Sequence, residues 1–201
     1  MNSAIAHETN DARESILSTG RRIIAGKGYS AVGLNEILST AGIPKGSFYH
    51  YFGSKDAFGE ALLESYFEDY LADMDRTLSA AGLTMAQRLM NYWYGWQLNQ
   101  LSIDGQGKCL AVKLGAEVAD LSEAMRLSLK RGTSGIVERI TRAVEAGAAE
   151  GSLSIDSTPD VIGQSLYQLW LGASVMHKIV RDTQPFETAT AVTRQILHLD
   201  V

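Results

Sequence analysis

The 201-residue sequence predicts an all-α fold, and three observations carry that prediction. Proline occurs only at Pro44, Pro159 and Pro185, which leaves long runs of helix formers unbroken. No segment shows the period-2 alternation of a half-buried strand. Pro159 and Pro185 follow Thr158 and Gln184, so both read as first helical residues, where the missing N–H has no intrahelical partner to lose. Apolar residues form 45% of the chain and charged residues 20%, the balance of a globular protein with an ordinary core.

The first helix is expected to start at Asp11, with Glu14 completing a capping box, after a loose arm over residues 1–10. Ile16, Leu17, Ile23 and Ile24 give it an apolar face, and Gly26 and Gly28 stop it. A second helix covers residues 34–41 and ends at Gly42; a third covers 45–51 and ends at Gly53. Ser54 is placed to cap a long fourth helix over 55–79. Along it Phe58, Leu62, Tyr66 and Tyr70 recur at i,i+4, beside Leu63, Phe67 and Leu71, a face wide enough to pack against two bodies. Asp56, Glu60, Glu64 and Glu68 repel weakly at the same spacing and read as a solvated face. Five more helices are expected over 85–101, 110–119, 121–150, 159–181 and 185–197. Asp120 and Glu123 suggest a second capping box, and Gly132 and Gly135 are expected to bend or interrupt the seventh helix.

The segment LNEILSTAGIPKGSFYHYF, residues 34–52, has the layout of a helix-turn-helix: a short helix, a glycine stop, a tight turn and a second short helix. That second helix carries Lys45, Ser47, Tyr49, His50 and Tyr51, groups that suit phosphates or base edges. Gly46 has no side chain to hold a phosphate away from the backbone, and the free N–H groups at a helix start favour an anion. In this geometry the second helix enters the major groove. The same pattern, taken alone, also fits a helical hairpin whose aromatics fill a core, and Phe48 and Phe52 read as core in either case.

The string GIPKGSFYHYFGSKDAF, with the sequence from Asp11 to Leu63 around it, resembles the signature of TetR-type one-component transcriptional regulators. The resemblance implies an N-terminal three-helix DNA-binding domain, residues 1–55, and a C-terminal ligand-binding and dimerisation domain, residues 56–201. It implies backbone-phosphate contacts from Ser47, Tyr49, Tyr51 and Lys55, and base-edge contacts from Asn35, Lys45, Gly46 and His50. Two positions depart from the family pattern: Gly33 stands where Thr or Ser often caps a helix, and Pro44 stands where Ser is common. The resemblance also implies a homodimer built from the last two helices. Gly163, Gly172, Ala173 and Ser174 make the eighth helix slim enough for close approach. A two-fold dimer reads a near-palindromic double-stranded operator.

Charge tells against this at first sight, because the whole chain carries −5. Residues 1–55 nevertheless hold six bases and four acids, a net of +2, and the remainder carries −7. Attraction to DNA belongs to the contacting face rather than to the total.

The second part is expected to sense a small-molecule effector. Tyr92, Trp93, Tyr94 and Trp96 in the fifth helix and Tyr167 and Trp170 in the eighth form an aromatic cluster, with Met90, Met125 and Met176 as candidates to join it. Such a cluster is either core or the wall of an apolar pocket. Cys109 is the sole cysteine, which excludes an internal disulfide. It follows Gly105, Gln106, Gly107 and Lys108 at a helix start, where the helix and the lysine both favour the thiolate. CLAVKLGAEVADLSEAMR and LWLGASVMHK resemble the N-ethylmaleimide-responsive subfamily, which answers electrophiles and oxidants through cysteine chemistry. Cys109 is the matching cysteine, although Lys108 replaces the subfamily's preceding glycine. Lys178 is the candidate amine to approach the thiol. The sensing set is thus Cys109, Lys178, Trp93, Trp96, Tyr167 and Trp170, with non-covalent binding of a lipophilic ligand in the aromatic pocket as the alternative.

An enzyme is not expected. His7, His50, His177 and His198 are scattered without metal-ligand spacing, no nucleophile–base constellation is visible, and no cofactor or metal is implied. No apolar run is long enough to cross a membrane, and the N-terminus lacks the features of a secretion signal, so a cytoplasmic protein is expected.

Overall fold

The computed structural model describes residues 2–102 and 109–199, with side chains from residue 11 onward. Among the described residues all regular structure is helical: α1 Asn2–Lys27, α2 Leu34–Ala41, α3 Lys45–Phe52, α4 Lys55–Leu78, α5 Met85–Leu101, α6 Leu110–Ala119, α7 Glu123–Glu150, α8 Pro159–Val180 and α9 Gln184–Ile196. The all-α expectation holds, and most boundaries fall within a residue or two of the expected ones. Backbone packing groups Met1–Glu68 with Ser102–Arg131 as one unit, and Asp69–Leu101 with Gly132–Val201 as another. Helices α4 and α7 contribute residues to both.

In the first unit, α1 starts at Asn2 rather than at Asp11, so the expected arm is helical and Asp11 is no cap. Residues 2–19 contain neither glycine nor proline, so nothing in the chain stops the helix from extending back. Ile16, Leu17 and Ile24 are buried. Gly20 lies where α1 meets α4, and a Cβ there would stand 2.5 Å from Cζ of Phe58. Helix α2 ends at Gly42, whose φ of 68° is the left-handed conformation that glycine adopts freely. The Oγ of Ser54 accepts from the Ala57 N–H at 3.0 Å, the expected cap of α4. Phe48, Phe52 and Phe58 form a buried triad with ring centroids 5.2 to 5.6 Å apart.

Two expectations for this unit change. The acidic face of α4 is not merely solvated: Arg131 of α7 bonds Glu64 at 2.7 Å and stands 3.9 Å from Glu60. A cation between them relieves their mutual repulsion. Asp120 also does not open α7. It ends α6, in helical conformation, and the Oγ of Ser122 accepts weakly from the Met125 N–H at 3.5 Å instead.

In the second unit, α7 runs unbroken through Gly132 and Gly135. Gly135 is a packing glycine, since a Cβ there would lie 3.0 Å from Leu71. Thr158 caps α8 by accepting from the Val161 N–H, with Pro159 in the first turn as expected. Helices α8 and α9 pack together. The core beneath them is aromatic: the indoles of Trp93 and Trp170 stack with centroids 4.8 Å apart and planes 9° from parallel.

Candidate nucleic-acid interface and effector site

Helix α3 is held by its apolar side and offers its polar side. Phe48 is fully buried and Phe52 nearly so. Asn35, Lys45, Gly46, Tyr49 and His50 are exposed, and Ser47 and Tyr51 are half-buried. The geometry thus brings seven of the eight expected DNA-contacting residues to or near the surface of α2 and α3. Tyr49 rests edge-on against Phe48, ring centroids 5.4 Å apart, and remains 51% exposed, so its hydroxyl points from a fixed base. Nothing lies within 4 Å of a Cβ built on Gly46, which leaves open space over the start of α3. Gly33 and Pro44 occupy the two N-cap positions without a side-chain cap, as their chemistry requires.

Lys55 is placed differently. Its ammonium donates to the carbonyls of Val32 and Tyr29, at 2.8 and 3.3 Å, and lies 4.7 Å over the Tyr29 ring. Two of its three protons are therefore engaged inside the protein. The family resemblance implied a phosphate contact for Lys55, and no local pattern marks these internal partners, which are 23 and 26 residues away. Tyr29 donates its hydroxyl to the Lys55 carbonyl at 2.6 Å. Burial first, and the charge of Asp56 second, push the Tyr29 phenol well above its usual range, so it stays a donor.

Cys109 is 3% exposed and sits at the N-cap of α6, where its carbonyl accepts from the Lys113 N–H at 3.2 Å. Gly105, Gln106, Gly107 and Lys108, on which part of its expected reactivity rested, lie outside the described residues. Lys178 is exposed in the last turn of α8. Cys109 falls in the first unit and Lys178 in the second.

Trp93, Trp96, Tyr167 and Trp170 come together in the second unit, all buried. Trp96 donates its indole N–H to Ser174 Oγ at 2.8 Å, and Trp170 donates to Thr193 Oγ1 at 2.9 Å. Trp96 meets Tyr167 edge to face at 6.0 Å. Of the other candidates, Tyr94 is 61% exposed, Met125 belongs to the first unit against Gly59, and Met176 is exposed on α8. Two open clefts border the cluster. One of about 110 Å³ runs past Tyr70, Tyr92 and Trp96; the other, of about 480 Å³, lies beside Tyr167, Thr141, Glu138 and Asp160. Among the described residues no group of His, Cys, Asp and Glu is arranged to hold a metal.

A three-helix head whose third helix turns its polar side to the surface, followed by a helical body, is the layout of the helix-turn-helix transcriptional regulators. The family model described as "Bacterial regulatory proteins, tetR family" matches residues 16–62, and "Tetracyclin repressor-like, C-terminal domain" matches residues 82–193. The chain belongs to the tetR family of bacterial regulatory proteins, a family of regulators and not of enzymes. It is 40% identical over 192 residues to the HTH-type transcriptional repressor NemR of Escherichia coli strain K12, spanning 95% of this chain and 96% of that one. It is 31% identical to the HTH-type transcriptional repressor DhaR of Mycobacterium sp. strain GP1, over 92% of this chain and 91% of that one. The crystal structure of reduced E. coli NemR superposes with a TM-score of 0.87 at 41% identity, covering 93% of this chain and 97% of that one. None of the helices, among the described residues, is long and apolar enough to cross a membrane.

Proposed function

We propose that the protein is a cytoplasmic dimeric repressor that binds a near-palindromic operator through α2 and α3 and releases it when an electrophile or oxidant modifies Cys109. The observation that carries the sensing part is the position of the sole cysteine at the N-cap of α6, where the helix dipole favours the thiolate. Likeness along almost the whole chain to a repressor named NemR supports the repressing role. With a maleimide, the thiolate sulfur attacks the alkene carbon, a C–S bond forms, the carbon–carbon π pair moves to the adjacent carbon, and water supplies its proton. The thiol is nearly buried, so reaction requires a transient opening at the start of α6. The adduct then cannot repack as the thiol did, and the binding-competent conformation loses population.

Exposed apolar residues on α8 support the dimer. Val175, Met176, Ile179 and Val180 are 43 to 66% exposed on one helix, and an apolar groove of about 420 Å³ runs between α8 and α9 past Leu169, Ala173, Pro185 and Ala189. A patch of this kind suits an interface between two copies.

The deciding experiment selects an operator duplex from random sequence with the wild-type protein, then measures its release by N-ethylmaleimide in a gel shift. Wild type is expected to release and Cys109→Ser to stay bound; release from Cys109→Ser as readily as from wild type removes the covalent route. That outcome would favour the second reading, non-covalent binding of a lipophilic ligand, which the clefts beside Trp96 and Tyr167 support.

A further inference from the structure

The geometry points to Glu117 as the residue that couples α6 to the reading head, through the turn that follows α1. Glu117 lies in the third turn of α6, and its carboxylate accepts two successive backbone N–H groups: Tyr29 on Oε2 at 3.2 Å and Ser30 on Oε1 at 2.6 Å. These residues are 88 and 87 positions away in sequence but belong to the same packing unit.

The seat is built for a carboxylate. Gly28 ends α1 with a φ of 94°, which turns the next two N–H groups to one side as a small anion-binding concavity. A Cβ on Gly28 would stand 3.0 Å from Glu117 Oε2, so the glycine serves both the backbone conformation and the space above it. Burial, the largest single effect, raises the Glu117 carboxyl, but the Ser30 N–H and hydroxyl, the Tyr29 N–H and the charge of Lys113 one turn earlier on α6 together outweigh it and hold the carboxyl below its usual range, so the acceptor is ionised.

What the carboxylate holds is the hub of the head. Tyr29 donates its backbone N–H to Glu117 and its hydroxyl to the Lys55 carbonyl, and its own carbonyl accepts from the Lys55 ammonium. Gly59 of α4 lies against the Tyr29 side chain, where a Cβ would stand 2.9 Å from the hydroxyl. Lys27, the last residue of α1, pairs with Glu36 of α2. A shift of α6 that carries Glu117 therefore acts at one point on the ends of α1 and α4 and on the entry to α2. Glu117 is a positioning residue: it bonds the backbone of Tyr29 and Ser30, and it acts by keeping the turn and α6 in register.

Coupling of this kind is reciprocal, so it can be read in the opposite direction and without any effector. The full-length protein is followed by hydrogen–deuterium exchange with and without the operator duplex selected by wild type. In wild type, operator binding at the head is expected to slow exchange across residues 110–119 by at least about fivefold, the lower end of typical site–site coupling. In Glu117→Ala that slowing falls below about twofold. Glu117→Gln, whose amide oxygen still accepts one N–H, lies between. Thermal melting and the operator dissociation constant of each variant establish that head and body remain folded. Slowing in Glu117→Ala equal to wild type, or no slowing in wild type, overturns the proposal. Neither result depends on Cys109, so the covalent reading stands or falls separately.

Discussion

Tyr29 and Lys55 hold each other across the head: the tyrosine hydroxyl donates to the lysine carbonyl at 2.6 Å, and the lysine ammonium donates back to the tyrosine carbonyl at 3.3 Å. Lys55→Ala is therefore expected to do more than remove a charge near DNA. Two hydrogen bonds from a charged donor are lost and two carbonyls released, a stability cost of about 1–3 kcal/mol. Lys45, exposed at the start of α3, is the cleaner probe of phosphate contact. Lys45→Ala is expected to weaken binding to all duplexes and to flatten the salt dependence by about one unit per subunit, with an unchanged melting temperature. Salt titration and thermal melting on both variants separate the two roles.

Gly59 has no room for a side chain, since a Cβ would meet Met125 and the hydroxyl of Tyr29. Gly59→Ala should improve helix propensity yet destabilise the protein by about 1–3 kcal/mol through overpacking. Urea unfolding gives the sign directly: a more stable variant would mean the contact yields freely.

Trp170 and Thr193 are both buried, and the indole N–H has the threonine hydroxyl as acceptor. Thr193→Val keeps the shape and removes the acceptor, leaving a buried donor unpaired at a cost of about 1–3 kcal/mol. With Trp170→Phe in the background the same change is expected to cost much less. A double-mutant cycle by denaturant unfolding measures the difference.

Asp75 and Arg139 form a two-pronged ion pair at 2.7 and 2.8 Å. The hydrogen bonds from Arg139 hold the Asp75 carboxyl below its ordinary range, against a smaller opposing effect of burial. A depressed folded-state value means the pair contributes above the unfolded value and loses that contribution as pH falls through the folded one. Asp75→Asn is thus expected to be less stable than wild type at pH 7 and to approach it as pH drops below about 4, the unfolded aspartate value. Melting temperatures across that range check it; a gap independent of pH would show that charge is not the cause.

Local chemistry explains what was legible in the sequence. Gly42, Gly53, Ser54 and Thr158 act on residues next to them, so α2, α3, α4 and α8 could be placed from composition alone. The start of α1 could not, because the capping box at Asp11 competes with a preceding stretch that has neither glycine nor proline to stop the helix, and loses. At the start of α7, Asp120 and Ser122 are both capping residues, and only the end of α6 decides that Asp120 belongs to it. The exposed face of α3 was readable because Phe48 and Phe52 are one turn apart. Glu117 and the inward commitment of Lys55 were not, since each depends on chain segments brought together from a distance.

The vacant space above Gly46 has a consequence for how such a protein can change its target. Lys45, Gly46 and His50 are exposed, while α3 is anchored by two phenylalanines on its far side. Substitutions on the outer face therefore cost the fold little, and at Gly46 a new side chain would even favour the helix by about 1 kcal/mol. Operator preference can drift by single steps without first acquiring a compensating stabiliser, which lets one scaffold be retargeted to many promoters.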